Sequence, residues 1–245
     1  MLKGSIAQAK PVLCALAVVL LVRTVVAEPY RVPSPSMVPT LLVGDELIGS
    51  KFAYGYAKYS SPIGLMPDFS GRLFDRTPER GDVVVFRLPR EPSIVYVKRL
   101  IGLPGDRIQM LRGRLYINDV AVPRRKIGAF PGDVGGFAVA STLYIETLPA
   151  GHEHEIIEIT DSERYDDTVA YLVPPRHYFM MGDNRDNSLD SRIAASDGGV
   201  GFVPEENLMA RADILLLSRN PAVSWLDVAH WANAFRFDRT LGRIH

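Results

Sequence analysis

From residue 11 to residue 27 the chain is apolar except for Arg23 and Thr24, and no acidic residue precedes Glu28. Lys3 and Lys10 stand before this stretch. At ~1.5 Å per residue a helix over 11–27 reaches about 25 Å, near the lower limit for crossing a bilayer. Arg23 lies within one turn of the far end, where its guanidinium can extend to the headgroups. A cleavable signal peptide, with Val25 and Ala27 at the −3 and −1 positions, has much the same layout. Arg23, however, breaks the region that should be uncharged before such a cut, and Pro29 would be the second residue of the product. A retained anchor is therefore expected. The early positive charges then keep residues 1–10 in the cytoplasm and send 28–245 to the far side of the membrane.

Beyond the anchor the sequence is heavily punctuated. The chain has 18 prolines and 20 glycines in 245 residues, more turn-forming residues than helix-rich folds usually carry. Pro29, Pro33, Pro35 and Pro39 exclude a continuous helix over 28–40 and favour an extended path. Strands are expected at 45–50, at 82–87 around the unbroken Val83-Val84-Val85-Phe86 run, at 93–101 and near 210–218. Between 107 and 172, short β-prone pieces (114–118, 142–146, 155–160) alternate with glycine-rich loops. The expected organisation is a β core formed by 28–106 and 173–245, with a smaller β lobe, 107–172, inserted between its halves. In the tail, 224–237, Trp225, Val228, Ala229, Ala232 and Phe235 recur at helical spacing. They predict a short helix packed on the body, with a helix lying in the membrane interface as the alternative.

The bulk numbers exclude several roles. Lysines and arginines balance aspartates and glutamates at a formal net charge of zero, so no basic field invites nucleic acid. The single cysteine, Cys14, can form no intrachain disulfide, and no Cys–His spacing resembles a zinc site. No metal or cofactor is expected.

Among hydrolytic designs, a histidine triad has little support. There is no Gly-x-Ser-x-Gly elbow. Of the five histidines, His152 and His154 fall in an acidic stretch of the expected lobe and read as part of a solvated loop. His177 pairs with no serine. A different constellation carries more chemistry: Ser34-Pro35-Ser36-Met37-Val38-Pro39-Thr40, then Tyr96-Val97-Lys98-Arg99-Leu100, then Gly182-Asp183-Asn184-Arg185-Asp186-Asn187-Ser188-Leu189-Asp190-Ser191-Arg192. Taken singly, the first reads as a proline-rich stalk and Lys98 as a surface lysine. The third packs carboxylates, amides, hydroxyls and arginines more densely than any turn requires.

Together these segments, with Arg80-Gly81-Asp82-Val83-Val84-Val85-Phe86, Gly102-Leu103-Pro104-Gly105-Asp106 and Gly201-Phe202-Val203-Pro204, resemble the signature boxes of the bacterial type I signal peptidases, in the same order. The resemblance covers roughly half the chain. It implies a mainly β fold: a coiled antiparallel β-sheet catalytic core with the inserted smaller lobe, preceded by one transmembrane helix. It implies an endopeptidase of the bacterial cytoplasmic membrane, with its catalytic domain on the outer or periplasmic face. Its partners would be the signal peptides of secreted preproteins, the lipid bilayer and, by proximity, the export machinery.

By position in its box, Ser36 resembles the family's nucleophile and Lys98 its general base. A serine hydroxyl needs a base to take its proton, and a lysine amine serves only when neutral. Free lysine titrates near ~10.4, so a fall of two units needs ~2.7 kcal/mol of differential destabilisation of the ammonium. Apolar strands supply that by desolvation. Ser188 resembles the residue that orients the amine, and Ser34 the side-chain donor of the oxyanion hole. Asp190, Arg192, Asp183 and Arg99 resemble a supporting ion-pair shell. Tyr30, Val32, Met37, Leu47, Val85, Tyr96 and Val97 are expected to line shallow apolar pockets that accept small residues. Two positions depart from the family pattern: Pro35 stands where glycine is commonest, and the 193–200 connection is long.

Two other classes share part of this pattern. Self-cleaving Ser–Lys repressors share the pair but are soluble and carry a DNA-binding domain, of which this chain has no candidate. A non-catalytic membrane-tethered assembly protein on an inactive β core would be marked by loss of Ser36 or Lys98, and both are present.

Overall fold

The structure, a computed structural model, describes residues 2–60, 71–132, 140–223 and 234–244. It opens with helix α1 (Leu2–Val25), which contains Pro11 and ends with Arg23 in its last turn. The stretch read as an anchor thus lies mostly in α1, but Ala27 already opens the first strand. Counted over the described residues, no helix is long and apolar enough to cross a membrane. Val18, Val19, Leu20, Leu21 and Val22 follow one another around the helix axis, and all are exposed.

Among the described residues fifteen strands follow. The principal sheet has eight: β1 (Ala27–Arg31), β2 (Asp45–Ser50), β3 (Val83–Leu88), β4 (Glu91–Gly102), β12 (His177–Met181), β13 (Val203–Pro204), β14 (Leu208–Ser218) and β15 (Gly242–Arg243). Their order is β1-β2-β14-β3-β4-β12-β13, with β15 added to β14. The strands between form two smaller sheets. One joins β10 (Glu153–Glu158), β9 (Thr142–Thr147) and β8 (Arg124–Ala129). The other joins β11 (Tyr171–Leu172), β5 (Arg107–Leu111), β6 (Arg114–Ile117) and β7 (Val120–Ala121). Apart from an isolated parallel bridge, Ile157 to Asn184, these ladders are antiparallel.

The apolar patterns account for the layering. Val83, Val84, Val85 and Phe86 are all buried, because β3 is central and covered on both faces. One side of this sheet packs Val84, Phe86, Leu88 and Leu100 with Tyr178 and Met180. The other gathers Val32, Met37, Leu41, Leu47, Val83 and Val85. Ile101, Phe179 and Met181 meet Ile108, Met110, Leu115 and Ile117, so the small β5–β6 sheet closes over the principal one.

The expected strands are present, with no end moved by more than two residues. The expected extended path over 28–40 is interrupted by a 3₁₀ turn at Pro35–Met37. The reading of a solvated loop is wrong for His154, whereas His152 does lie in a loop, half-buried, just before β10. His154 is buried on β10, because β10 alternates and this position faces Glu146 and Arg185. Burial above all, then Arg99, Arg185 and His152, holds its pKa well below the usual histidine range. The helix expected in the tail falls largely on 224–233, outside the described residues.

Candidate active site

Ser36 lies on the 3₁₀ turn Pro35–Met37, between β1 and β2. Proline suits the first position of such a turn, since its fixed φ is already near helical and it has no N–H to leave unpaired. Ser34 before it is extended, at φ −132°. Asn184 holds the turn from the opposite side: its side-chain amide donates to the Pro35 carbonyl at 3.1 Å, and its backbone N–H to the Ser36 carbonyl at 3.2 Å. The close approach requires glycine at 182, where a Cβ would lie 2.4 Å from the Ser36 carbonyl oxygen.

Lys98 is on β4 and its Nζ donates a short hydrogen bond to Ser36 Oγ. Both residues are nearly sealed from solvent, Ser36 at 7% exposure and Lys98 at 3%. Ser34 Oγ is 3.3 Å from Ser36 Oγ. Burial drives the Lys98 pKa down from 10.5 to about 8; Asp190 and Asp183 pull it back up, and Arg192 adds to the fall. Roughly a tenth of the amine is thus neutral at pH 7, far more than for a free lysine, on an atom placed to take the serine proton.

The four charged residues expected around the pair form two buried forks. Arg99 donates to Asp183 through Nε and Nη2, each at 2.8 Å, and to the Gly81 carbonyl at 2.7 Å. Arg192 donates to Asp190 through Nε and Nη2, each at 2.9 Å, and to the Arg185 carbonyl at 2.5 Å. Asp190 also accepts from the Gly182 N–H at 3.1 Å. Burial pushes Asp190 upward, but Arg192, the Gly182 N–H and Lys98 together outweigh it and the carboxyl sits below its ordinary range. Fork geometry of this kind fixes direction as well as charge. The residues after β12 that carry Ser188 are therefore rigidly held.

Ser188 is buried beside Gly182, but its hydroxyl has no hydrogen-bond partner among the described residues. The orienting bond expected from Ser188 to the Lys98 amine is not made here.

A cleft of about 610 Å³ opens in front of the pair. Tyr30, Val32, Leu47, Val85, Tyr96 and Val97 line it, joined by Ile94, Val95 and Leu189. Met37 is a correction. It is fully buried with Leu41, Leu47 and Val83 and does not line the cleft, because the 3₁₀ turn that presents Ser36 points the next side chain into the core. The cleft runs between two open strand edges. β1 ends the sheet order, and β4 pairs with β12 only from Arg99 to Gly102, leaving its 91–98 half with β3 on one side alone.

Sequence reasoning missed two groups. Thr40 donates to Asp183 at 2.6 Å and accepts from Arg99 at 3.2 Å. Glu146 accepts from Arg185 at 3.0 and 2.5 Å, tying β9 to the turn before Ser188. Thr40 and Arg185 were visible as members of the quoted boxes. Glu146 had no signal, since nothing local distinguishes it from other strand glutamates.

A buried serine under a desolvated amine, at the wall of a cleft bounded by free strand edges, is the equipment of a serine endopeptidase. The family described as "Signal peptidase, peptidase S26" matches residues 5–217. Signal peptidase I of Rickettsia typhi (strain ATCC VR-144 / Wilmington) is 40% identical over 219 residues, covering 86% of this chain and 79% of that protein. The signal peptidase I proteins of Rickettsia felis and Rickettsia prowazekii match at the same identity and coverage. A crystal structure of a signal peptidase I from Enterococcus faecalis V583 is 26% identical, with a TM-score of 0.32, and covers 56% of this chain and 97% of that one. The chain belongs to the signal peptidase family.

Proposed function

We propose that this chain removes signal peptides from secreted preproteins by acyl-enzyme hydrolysis at a Ser36–Lys98 dyad. The hydrogen bond between Lys98 Nζ and Ser36 Oγ, in a site that lowers the lysine pKa, carries this reading. Neutral Lys98 takes the hydroxyl proton as Ser36 Oγ bonds to the carbonyl carbon of the small residue at −1. The C–N bond then breaks and Lys98 passes the proton to the leaving amine. Water, deprotonated in turn by Lys98, releases the signal peptide with a free carboxylate. Ser34 Oγ and the Ser36 N–H receive the oxyanion at each tetrahedral stage. Ser188, on its firmly held segment, steers the amine by turning about its own χ1.

The preprotein enters extended and pairs with the β1 edge and the 91–98 half of β4, its side chains alternating into the apolar wall. Tyr30, Val32, Leu47 and Val85 line this wall, and we assign to them the pockets that take small residues such as alanine at −3 and −1. We assign catalysis to 28–106 with 173–245, and regard 107–172 as an inserted lobe.

We place the anchor at 11–27, crossing the bacterial cytoplasmic membrane once, with the site on its outer face beside the export machinery. This assignment is supported by α1, whose apolar residues are exposed in every direction around the axis. Arg23 at the end of α1 suits the headgroup level.

The test is cleavage of a peptide ending its signal in Ala-x-Ala by the full chain in detergent. Wild type should cut once, after the second alanine, whereas Ser36→Ala and Lys98→Ala should each lose at least ~10³-fold in kcat. Wild-type turnover by either variant would sink the dyad.

A further inference from the structure

Glu28, the first acid of the chain, lies between α1 and the cleft wall, and its two carboxylate oxygens serve three partners. Oε1 accepts from Arg23 Nη2 of α1 at 3.0 Å. Oε2 meets the Lys51 ammonium at 2.7 Å and accepts from the Tyr30 hydroxyl at 3.2 Å. Lys51 is fully buried, and its other bond goes to the Ser60 carbonyl at 2.6 Å. A buried ammonium needs its counter-charge, so Glu28 is committed to Lys51 and cannot swing away. The rest of the carboxylate then reaches outward to Arg23 and sideways to Tyr30.

Tyr30 is part of the cleft wall, and its ring lies on Gly49 so closely that a Cβ there would be 2.8 Å from Tyr30 Cε2. Backbone bonds reinforce the joint: the Lys51 N–H donates to the Val26 carbonyl at 3.0 Å, and the Tyr56 hydroxyl to that of Val25 at 2.7 Å. A loose tether has no such fastening. Helix, buried lysine and cleft tyrosine converge on one side chain.

We infer that Glu28 is a positioning residue that fixes the direction of α1 against the cleft wall, and so selects which peptide bond of a membrane-held preprotein reaches Ser36. The inference rests on the proposed reading of α1 as anchor and Ser36 as nucleophile. A signal peptide held in the bilayer offers its cleavage site at a set height. The enzyme must present Ser36 at a matching one, and a tilt at the α1–β1 joint would move that height while leaving the dyad intact.

The experiment uses the full chain in vesicles of phosphatidylethanolamine and phosphatidylglycerol. One substrate is a soluble peptide ending in Ala-x-Ala. The other is a vesicle-inserted preprotein with two such sites four residues apart, its products counted by mass spectrometry. Arg23→Gln cuts only the helix arm of the joint, so its kcat/KM on the soluble peptide should stay within about twofold of wild type. Its product ratio should shift by about two- to fivefold, the scale an exposed ion pair supports. Glu28→Gln should shift the ratio the same way and raise the peptide KM, because Tyr30 also loses its partner. If Glu28→Gln does not fold, Arg23→Gln and Arg23→Lys decide alone, with Lys restoring the wild-type ratio. An unmoved ratio, or an equal fall at both sites, overturns the inference while the proposed function stands. Wild type failing on the soluble peptide overturns both.

Discussion

Val84 stands directly opposite Lys98 across the β3–β4 pair, and strand alternation puts Tyr96 and Leu100 on the same face. The lysine therefore projects from an apolar surface, and this face denies its ammonium the water it needs. The pKa of about 8 sets where the enzyme works. A general base must be neutral, so kcat/KM on a soluble peptide should rise with pH through a limb near 8 and level off above it. Val84→Thr, which adds a hydroxyl to this face, should move the limb upward by ~0.5 pH unit. A limb near 6.5 that ignores Val84→Thr would point to a histidine and away from Lys98.

The same burial makes Lys98 a burden on stability. Its folded pKa, about 8, lies below its ordinary value of 10.5, so between these pH values the unfolded chain holds a proton that the folded chain has released. Stability from this group thus rises with pH across that window, and the penalty is complete below about pH 8. Lys98→Met should abolish cleavage yet stabilise the fold by about 1–3 kcal/mol at pH 7, the gain fading toward pH 10.5. Urea unfolding at pH 7 and pH 10 measures both; an equal effect at the two pH values contradicts a desolvated amine.

Ser34 offers its hydroxyl 3.3 Å from Ser36 Oγ, on the exposed side of the turn. In the proposed role of oxyanion donor it would act on the transition state and hardly on the bound ground state. Ser34→Ala should lower kcat by ~10²–10³-fold, about 2.7–4 kcal/mol, with KM nearly unchanged. A rise in KM with kcat preserved would make Ser34 a substrate contact instead.

Asp183 binds Arg99 and Thr40 with both oxygens in a fully buried setting. Asp183→Ala removes the carboxylate on which the Arg99 fork closes. It should destabilise the fold by about 3–5 kcal/mol, read as a lower midpoint in urea. Asp183→Asn, which keeps the shape, should recover part of the loss. A change under ~0.5 kcal/mol for Asp183→Ala would mean that the shell is not structural.

The strands and the Ser36–Lys98 contact were legible because their signals are local. Val83 to Phe86 reads as a buried strand by composition alone, and Ser36 and Lys98 stand in recognisable strings. Positions that depend on partners far along the chain were not. His154 became a core residue because the β9–β10 hairpin sets it opposite Glu146 and Arg185, from beyond β12, closes over the pair. Met37 looked like a neighbour of the scissile bond by adjacency to Ser36, but a 3₁₀ turn sends successive side chains in different directions. Lys51 gave no hint of its burial, since nothing in its own segment foretells a meeting with Glu28. The order of β14 between β2 and β3 was equally hidden, because it joins segments from opposite ends of the chain.

The open edges of β1 and β4 offer hydrogen bonds to any extended polypeptide, including another molecule of the same protein. Such edges are where β proteins self-associate and aggregate. Here the hazard is tempered by the sequence of the edges themselves. Pro29 deprives β1 of one N–H, Pro92 does the same near the start of β4, and exposed Arg31 and Glu91 put charge beside the openings. A flat ladder with a second copy is interrupted at each proline, whereas a short, small-residued segment can use the few bonds that remain. The groove is thus tolerant of one strand and hostile to stacking. Replacing those prolines in the hope of tighter substrate binding would also weaken the protection against clumping.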